Sequence, residues 1–551
     1  MSSLRRVAVL VLFAVALVSA GAQAGIIGES RPGGGLSIGI TLPSGPTTLR
    51  EGVIGLPERP LPLFASTGAD RAIVALTYRG LTRLDTSGYP TADLATSWSV
   101  SEDGLAWTFV LDPTARWEDG TPITAADAQL TVGLAGELRL DGGYWEALTV
   151  EVSESTGDLV VRAPRALANL PALFGTLPLL PAHLFSGSAA RDIPQLEAVA
   201  TPMGSGPFRV VAMDGGAAAL EVRDDLLAGD LAVRSLMREG ATGLPVESIA
   251  LRFYGTEEEG LNAWRAGDLD ALVGVGREGT AAAGLTTGRT IELGSTTFNG
   301  IAVNLRPRTV LRHPKLRLGL RALLNSSAIT SAYGGREVAA PVSPLSWGWT
   351  EVPLPVRGAE YATKQFEGAK WKFKDGVWID TEKKPVSLEI LTLPSAPFPE
   401  DTAVAAQAAA AWIAFGVPTI VTEVDAETLT SRLATGDFDL VVLNVDVGID
   451  PDLYPLLGSA AVLSGGNVVG IQLKELDALL NEARKPAERE ARVKALAAVQ
   501  RWCAANNYLL PIRFKAEELL VASRLTGLAP LLVREPETHL RDVLSFRLAA
   551  P

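Results

Sequence analysis

Residues 402–445 read TAVAAQAAAAWIAFGVPTIVTEVDAETLTSRLATGDFDLVVLNV. Glycines at 416 and 436 stand where helices commonly end in the left-handed conformation, and apolar runs rich in Val and Leu follow them. The pattern predicts helices over 402–415 and 426–435 and strands over 417–424 and 438–445. Helices that alternate with strands are typical of a parallel sheet, whose ligands lie beyond the carboxyl ends of the strands. The loop after Val445 is therefore the expected place for a ligand.

The same alternation of strand-like and helical patterns continues along the 551 residues, without internal repeats or low-complexity domains. The composition is 47% hydrophobic and 20% charged, which is typical of a globular protein. The net charge of −13 excludes nucleic-acid binding, because no basic run offsets the repulsion from a phosphate backbone. We expect an α/β protein of more than one domain.

The N-terminus has the three parts of a secretory signal. Arg5 and Arg6 precede an apolar run from Val7 to Val18, and small residues flank a cleavage site at Ala24. The sequence thus predicts a signal peptide over residues 1–24 and a periplasmic or extracellular location; an uncleaved anchor stays open. The single cysteine, Cys503, is predicted to be a buried structural thiol, and we expect no lipid anchor because no cysteine stands at the cleavage site.

Catalytic and metal sites are not predicted. The three histidines, at 183, 313 and 539, are far apart in sequence and cannot form a paired metal-ligand motif. Gly204-Ser205-Gly206 precedes Pro207 and a predicted strand, whereas a nucleophile elbow would continue into a helix. We expect no catalytic residue, no metal and no cofactor.

Several blocks of sequence, taken in order, resemble the oligopeptide/dipeptide/nickel-type extracellular solute-binding proteins of ABC transporters, family 5. The blocks are YRGLTRLD at 78–85, YPTADLATSW at 89–98, SEDGLAWTF at 101–109, WEDGTPITAAD at 117–127, GSGPF at 204–208, LNAWRAGDLD at 261–270 and HPKLRLGL at 313–320. Two further blocks, GAKW at 368–371 and KDG at 374–376, follow in the family's order, and the resemblance covers almost the whole mature chain.

The resemblance implies a two-lobed periplasmic-binding-protein fold, type II of the large cluster C type, with an extra inserted domain. It implies that residues 25–65, 186–290 and 515–551 form lobe I, that 66–185 form the small inserted domain, and that 291–514 form lobe II. It also implies a monomer that captures di- to oligopeptides by lobe closure and delivers them to an ABC permease. Open alternatives are an oligosaccharide, glutathione-like or metal-chelate ligand on the same scaffold and, from other classes, a periplasmic hydrolase or a peptide-binding chaperone.

In peptide-binding members of the family, an aspartate after a strand pairs with the ligand's α-ammonium. Residues 443–452, LNVDVGIDPD, resemble that stretch and make Asp446 the candidate, although the loop is one residue longer and Asn444 or Leu443 replaces a tryptophan. A role of Asp446 in capping the loop stays open. Further candidate ligand contacts are Asn444, the loop tryptophans Trp347 and Trp349, with a core or loop-anchoring role as the alternative, and Tyr144, Trp145, Phe298 and Asn299, with a buried hinge or core role as the alternative.

Overall fold

The structure, a computed structural model, describes residues 39–550 except for the gaps 141–143, 154, 197–198, 200, 230–232, 234–241, 284–287, 308 and 486–487. These residues fall into two compact units, unit I within Ala24–Ser295 and Glu517–Pro551, and unit II within Thr296–Ala516. The chain passes between the units inside two long strands, Gly288–Val303 and Leu509–Ala522. The predicted signal peptide, 1–24, lies outside the described residues, and the predicted lobe and inserted-domain boundaries stay predictions.

The centre of unit II contains three neighbouring parallel strands. Strand Leu388–Thr392 lies between strands Thr419–Glu423 and Leu440–Asp446 and is parallel to both. Helices Pro399–Ala414 and Ala426–Thr435 connect the three strands in sequence. This arrangement confirms the predicted α/β fold with its strand–helix–strand connections.

Local sequence explains where these helices begin and end. The carboxylate of Asp425 accepts the Thr428 backbone N–H at 2.7 Å, which caps the second helix. That helix ends at Gly436, whose φ of 71° is the left-handed conformation that glycine adopts without strain. The first helix packs Trp412 into the core, and the indole N–H donates to the Leu320 carbonyl at 3.0 Å.

Strand Leu440–Asp446 also has an antiparallel neighbour. It pairs with the second half of Gly288–Val303, in a register that runs from Val303 opposite Leu440 to Thr297 opposite Asp446. The sheet in unit II is therefore mixed, and the carboxyl end of its last parallel strand lies beside the middle of the antiparallel strand Gly288–Val303.

Shorter elements complete unit II. Its other helices, including 3₁₀ turns, are Val310–Arg312, Pro314–Ala322, Ser326–Tyr333, Ala359–Gly368, Tyr454–Leu457, Ser459–Val462, Lys474–Ala483 and Arg489–Asn506, and its other strands are Arg336–Glu337, Lys372–Lys374 and Val377–Ile379.

The main strands of unit I also run in mixed directions. Strand Thr48–Ile54 is parallel to both Ser248–Tyr254 and Ala271–Val275, which flank it. Strands Ala217–Val222 and Phe208–Met213 continue the sheet in antiparallel fashion. The last half of Leu509–Ala522 pairs antiparallel with Ala271–Val275.

A second sheet of unit I is purely antiparallel and has a separate hydrophobic core. Its four strands, in spatial order, are Ala95–Val100, Ala106–Leu111, Leu159–Arg162 and Thr149–Val152. A turn at Asp103-Gly104 joins the first two strands, with Gly104 at φ 74°. Helix Ala125–Glu137 packs on this sheet, and its first turn is closed by the Asp127 carboxylate, which accepts the Thr124 backbone N–H at 2.7 Å.

The other helices of unit I, including 3₁₀ turns, are Gly68–Thr77, Trp145–Ala147, Leu170–Thr176, Ala182–Phe185, Ile193–Gln195, Asp224–Gly229, Glu257–Ala266, Arg277–Ala282 and Pro536–Ser545, and its other strands are Thr82–Leu84, Pro90–Ala92, Leu244–Pro245, Leu525–Thr526, Leu531–Val533 and Arg547–Leu548. None of the helices in the described residues combines the length and the apolar character that crossing a membrane requires.

Candidate functional site

The carboxyl end of strand Leu440–Asp446 carries a group of four polar side chains on one face of the sheet. The strand supplies Asn444 and Asp446, and its antiparallel neighbour supplies Asn299 directly opposite Asn444 and Thr297 directly opposite Asp446. Alternate residues of a strand share a face, so these four side chains form a two-by-two array. We call them the polar quartet.

The quartet interrupts an otherwise apolar face. The next two pairs along the same face are Ile301 with Val442 and Val303 with Leu440, and all four of these residues are buried. In the quartet, Thr297 and Asn299 are also buried, whereas Asn444 and Asp446 are partly exposed. A polar array at the carboxyl end of a parallel strand stands where α/β proteins bind their ligands.

The two asparagines of the quartet are hydrogen-bonded to each other and to a carboxylate. The side-chain amide of Asn299 donates to Asn444 Oδ1 at 3.0 Å, and the amide of Asn444 donates to Asp401 Oδ1 at 2.6 Å. Asp401 lies in the first turn of helix Pro399–Ala414 and is 3% exposed. Burial raises the pKa of Asp401 above its ordinary value, and the Lys515 cation and the Asn444 amide oppose that rise.

Glu400, the residue before Asp401, forms ion pairs with a different strand. Glu400 Oε2 lies 2.6 Å from the Arg513 guanidinium and 2.8 Å from Lys515 Nζ, and both cations belong to strand Leu509–Ala522. Burial works to raise the pKa of Glu400, but Lys515 and Arg513 outweigh it and hold that pKa below its ordinary value. The first turn of one helix thus contacts both the quartet and a strand that passes between the units.

Asp446 shapes the loop that follows the quartet. Its Oδ1 accepts the backbone N–H of Gly448 at 2.8 Å, and Gly448 has a φ of 79°. A short aspartate turn of this kind keeps the carboxylate at the end of the strand. The structure therefore places Asp446 and Asn444, both predicted as ligand contacts, in one array with Asn299.

Asp450, four residues further on, has a structural partner. The Asp450 carboxylate pairs with both terminal nitrogens of Arg492, at 2.7 and 2.8 Å, and both side chains are buried. The guanidinium also lies over the Trp347 ring, 4.8 Å from its centroid. Asp450, Arg492 and Trp347 form one packed group.

The two loop tryptophans differ in exposure. Trp347 is 6% exposed, whereas Trp349 is 39% exposed. Gln500 fixes the backbone between them, because its side chain donates to the Gly348 carbonyl at 2.8 Å and accepts the Thr350 N–H at 3.1 Å. Trp349 therefore presents an exposed ring on an ordered loop.

Phe298 is not part of the quartet. It faces the opposite side of its strand, is 1% exposed, and packs against Phe514 with ring centroids 5.8 Å apart. Tyr144 and Trp145 belong to unit I, where Trp145 is 1% exposed and contacts Phe174 edge to face at 5.4 Å. The Tyr144 hydroxyl donates to Asn169 Oδ1 at 3.2 Å.

Sequence reasoning missed Asp401 and Thr297. Asp401 follows Pro399 and Glu400, a proline and acidic pair typical of a first helical turn after a parallel strand, so the signal was present in the sequence.

Within the described part of the chain, no three His, Cys, Asp or Glu side chains are grouped to hold a metal ion. Burial raises the pKa of the Cys503 thiol to about 12.

Comparison with known proteins places these features in a family. The model of the bacterial extracellular solute-binding proteins, family 5 Middle, matches residues 90–461. The oligopeptide-binding protein AppA of Bacillus subtilis is 24% identical over 453 residues, which cover 80% of this chain and 81% of AppA.

Two solved structures share the fold. HbpA2 from Haemophilus parasuis superposes with a TM-score of 0.72 at 17% identity, over 88% of this chain and 97% of HbpA2. The periplasmic murein tripeptide binding protein MppA, in its unliganded open form, superposes with a TM-score of 0.71 at 17% identity, over 92% of this chain and 98% of MppA.

Proposed function

The chain belongs to the bacterial extracellular solute-binding proteins of family 5, and we propose that it captures di- to oligopeptides for an ABC importer through the polar quartet. The family is one of binding proteins, and the proposal involves no bond cleavage. The observation that carries the proposal is the position of the Asp446 carboxylate, in a polar array at the carboxyl end of a parallel strand.

The chemistry of the quartet suits a peptide's N-terminus. A free α-ammonium is a compact cation with three N–H donors, and an aspartate beside it forms a charge-assisted hydrogen bond. Such a bond strengthens as water is excluded. Asp446 is partly exposed and holds its loop through Gly448, so its carboxylate is ordered before any ligand arrives.

Relatives support the choice of ligand. AppA, similar over four-fifths of its length, is named as an oligopeptide-binding protein, and MppA is named as a murein tripeptide binding protein. Both ligands carry peptide bonds. We therefore place peptides ahead of oligosaccharides, glutathione-like compounds and metal chelates.

Capture requires a change that the importer recognises. We propose that units I and II act as the two lobes, that peptide stabilises their closed form, and that the permease recognises that form. The two strands through which the chain passes between the units are then the hinge. Residues 1–24 are the export signal in this account, and the protein acts as a monomer in the periplasm or outside the cell.

A thermal-shift screen tests the ligand class. The mature chain, from Gly25, is heated with di- to pentapeptides, oligosaccharides, glutathione and a nickel–histidine chelate. A ligand at a hundred times its Kd stabilises the protein by about 2.7 kcal/mol, enough to raise the melting temperature by several degrees. We expect peptides to do so.

Two variants locate the effect. D446N removes the charge of Asp446 but keeps an oxygen that accepts the Gly448 N–H. D425N makes the same charge change at a helix N-cap, where asparagine serves as well as aspartate. A peptide shift that D446N abolishes and D425N preserves supports the proposal. A shift with sugars, glutathione or the chelate alone, or a peptide shift that D446N leaves intact, overturns it.

A further inference from the structure

Asp401, Asn444 and Asn299 form a hydrogen-bonded series in which each member fixes the orientation of the next. An ionised carboxylate only accepts hydrogen bonds, so Asn444 must turn its amide nitrogen toward Asp401, where the N–O distance is 2.6 Å. Its oxygen then faces Asn299, which must donate in turn, at 3.0 Å. The ionised Asp401 carboxylate therefore determines which group donates and which accepts in every hydrogen bond of the series.

The series ends in a buried acceptor. Asn299 is 0% exposed, and its Oδ1 has no hydrogen-bond partner among the residues that the structure describes. A buried amide oxygen in this state is destabilising, because it has lost its hydrogen bonds to water and gained none from the protein. Asn299 lies diagonally across the strand pair from Asp446 and on the same face. Diagonal neighbours are about 7–8 Å apart, which lets the tips of both side chains contact one group.

We infer that Asp401 is a positioning residue that presents Asn299 Oδ1 as a second acceptor beside Asp446, so that the quartet selects a primary ammonium. This inference rests on the proposed function and names its ligand class more narrowly. A primary ammonium has three N–H donors and satisfies both acceptors. A tertiary dimethylammonium carries the same charge but a single donor, and it leaves one acceptor unpaired.

The series has a defined response to protonation. A neutral Asp401 can donate its proton to Asn444 Oδ1, after which both amides turn over and Asn299 presents a donor in place of its acceptor. The charged groups that face Asp401 are Glu400, from its own helix, and Arg513 and Lys515, from strand Leu509–Ala522. Burial favours the neutral form of Asp401, so the change falls at a higher pH than for an exposed aspartate.

Calorimetric titration with trialanine and N,N-dimethyl-trialanine tests the inference. At pH 7.5 we expect wild type to prefer the free amine by about tenfold, the value of one hydrogen bond to a charged group. The preference should fall as the pH drops through the pKa of Asp401. In N299L, which removes the acceptor, the preference should be lost at every pH, and in D401N it should no longer change with pH. D425N should match wild type. An unchanged preference in N299L, or a D401N profile like that of wild type, overturns the inference.

A second measurement tests the hydrogen-bonded series itself if trialanine does not bind. That outcome counts against the proposed function and not against the series. In protein labelled with ¹⁵N-asparagine, the side-chain amide signals of Asn299 and Asn444, assigned from N299L and N444L, should shift together with one apparent pKa. D401N should abolish both shifts and D425N neither. A signal of Asn299 that ignores pH, or one that still titrates in D401N, refutes the series.

Discussion

Replacing Asp450 with asparagine should destabilise unit II severely, because it removes a buried negative charge that pairs with a buried guanidinium. The Asp450 and Arg492 side chains are 2% and 8% exposed, and two hydrogen bonds of 2.7 and 2.8 Å join them. Removal of one partner from a buried pair costs about 3–5 kcal/mol. The Trp347 ring offsets little of this cost, since its attraction for the cation is about 1–2 kcal/mol and is already present in the wild type.

Scanning calorimetry of the full chain measures the effect. For a unit of this size, 1 kcal/mol lowers the melting temperature by about 2–4 °C, so D450N should melt roughly 10 °C earlier. The matched control is E482Q, which breaks the exposed pair of Glu482 with Lys485 and should cost less than about 1 kcal/mol. D450N combined with R492M should recover part of the loss, because no buried charge then remains unpaired. A D450N protein that melts within about 2 °C of wild type refutes the reasoning.

Two further predictions concern stability. Burial works to lower the pKa of His539, but the Glu51 carboxylate, 2.9 Å away, outweighs it and raises that pKa. The pair should therefore stabilise the fold fully below about pH 6.5, the pKa of an unfolded histidine, and less as the pH rises through the folded pKa. Melting temperatures measured from pH 6 to 9 should fall more steeply in wild type than in E51Q. Gly436 and Gly376 both have positive φ, but a Cβ at Gly376 would contact nothing, whereas one at Gly436 would lie 2.5 Å from Cδ of Arg306, whose guanidinium is held by a hydrogen bond of 2.9 Å to the Val468 carbonyl. Urea denaturation should show G436A to be the more destabilised of the two alanine variants, and equal losses of about 1 kcal/mol would contradict this.

The sequence predicted the parts of the fold that local signals determine. Helix Ala426–Thr435 has its predicted bounds, because Asp425 caps one end and Gly436 closes the other. Helix Pro399–Ala414 begins three residues before its predicted start at Thr402, since the proline and the two acidic residues form its first turn. Elements with strong end signals can thus be located from sequence alone.

The long strands between the units could not be predicted in full. Strand Gly288–Val303 is buried on both faces from Leu293 onward, so it lacks the alternation that marks a half-buried strand. The length of such a strand depends on the partners that pair with it, and those partners are distant in sequence.

The candidate site likewise has residues that the sequence predicts and contacts that it does not predict. Asp446 and Asn444 follow from the end of a predicted strand and the resemblance to peptide-binding relatives. That Asn299 lies opposite Asn444 depends on the register between strands 145 residues apart, and that Asp401 supports both depends on helix packing. Neither contact can be predicted from the spacing of residues in the sequence.

The most direct test of the central claim is a crystal structure of the protein with a bound peptide. We expect the peptide's α-ammonium nitrogen to lie about 2.7–2.9 Å from a carboxylate oxygen of Asp446. A peptide bound with its ammonium on another carboxylate, or with Asp446 turned only toward its own loop at Gly448, would contradict the claim.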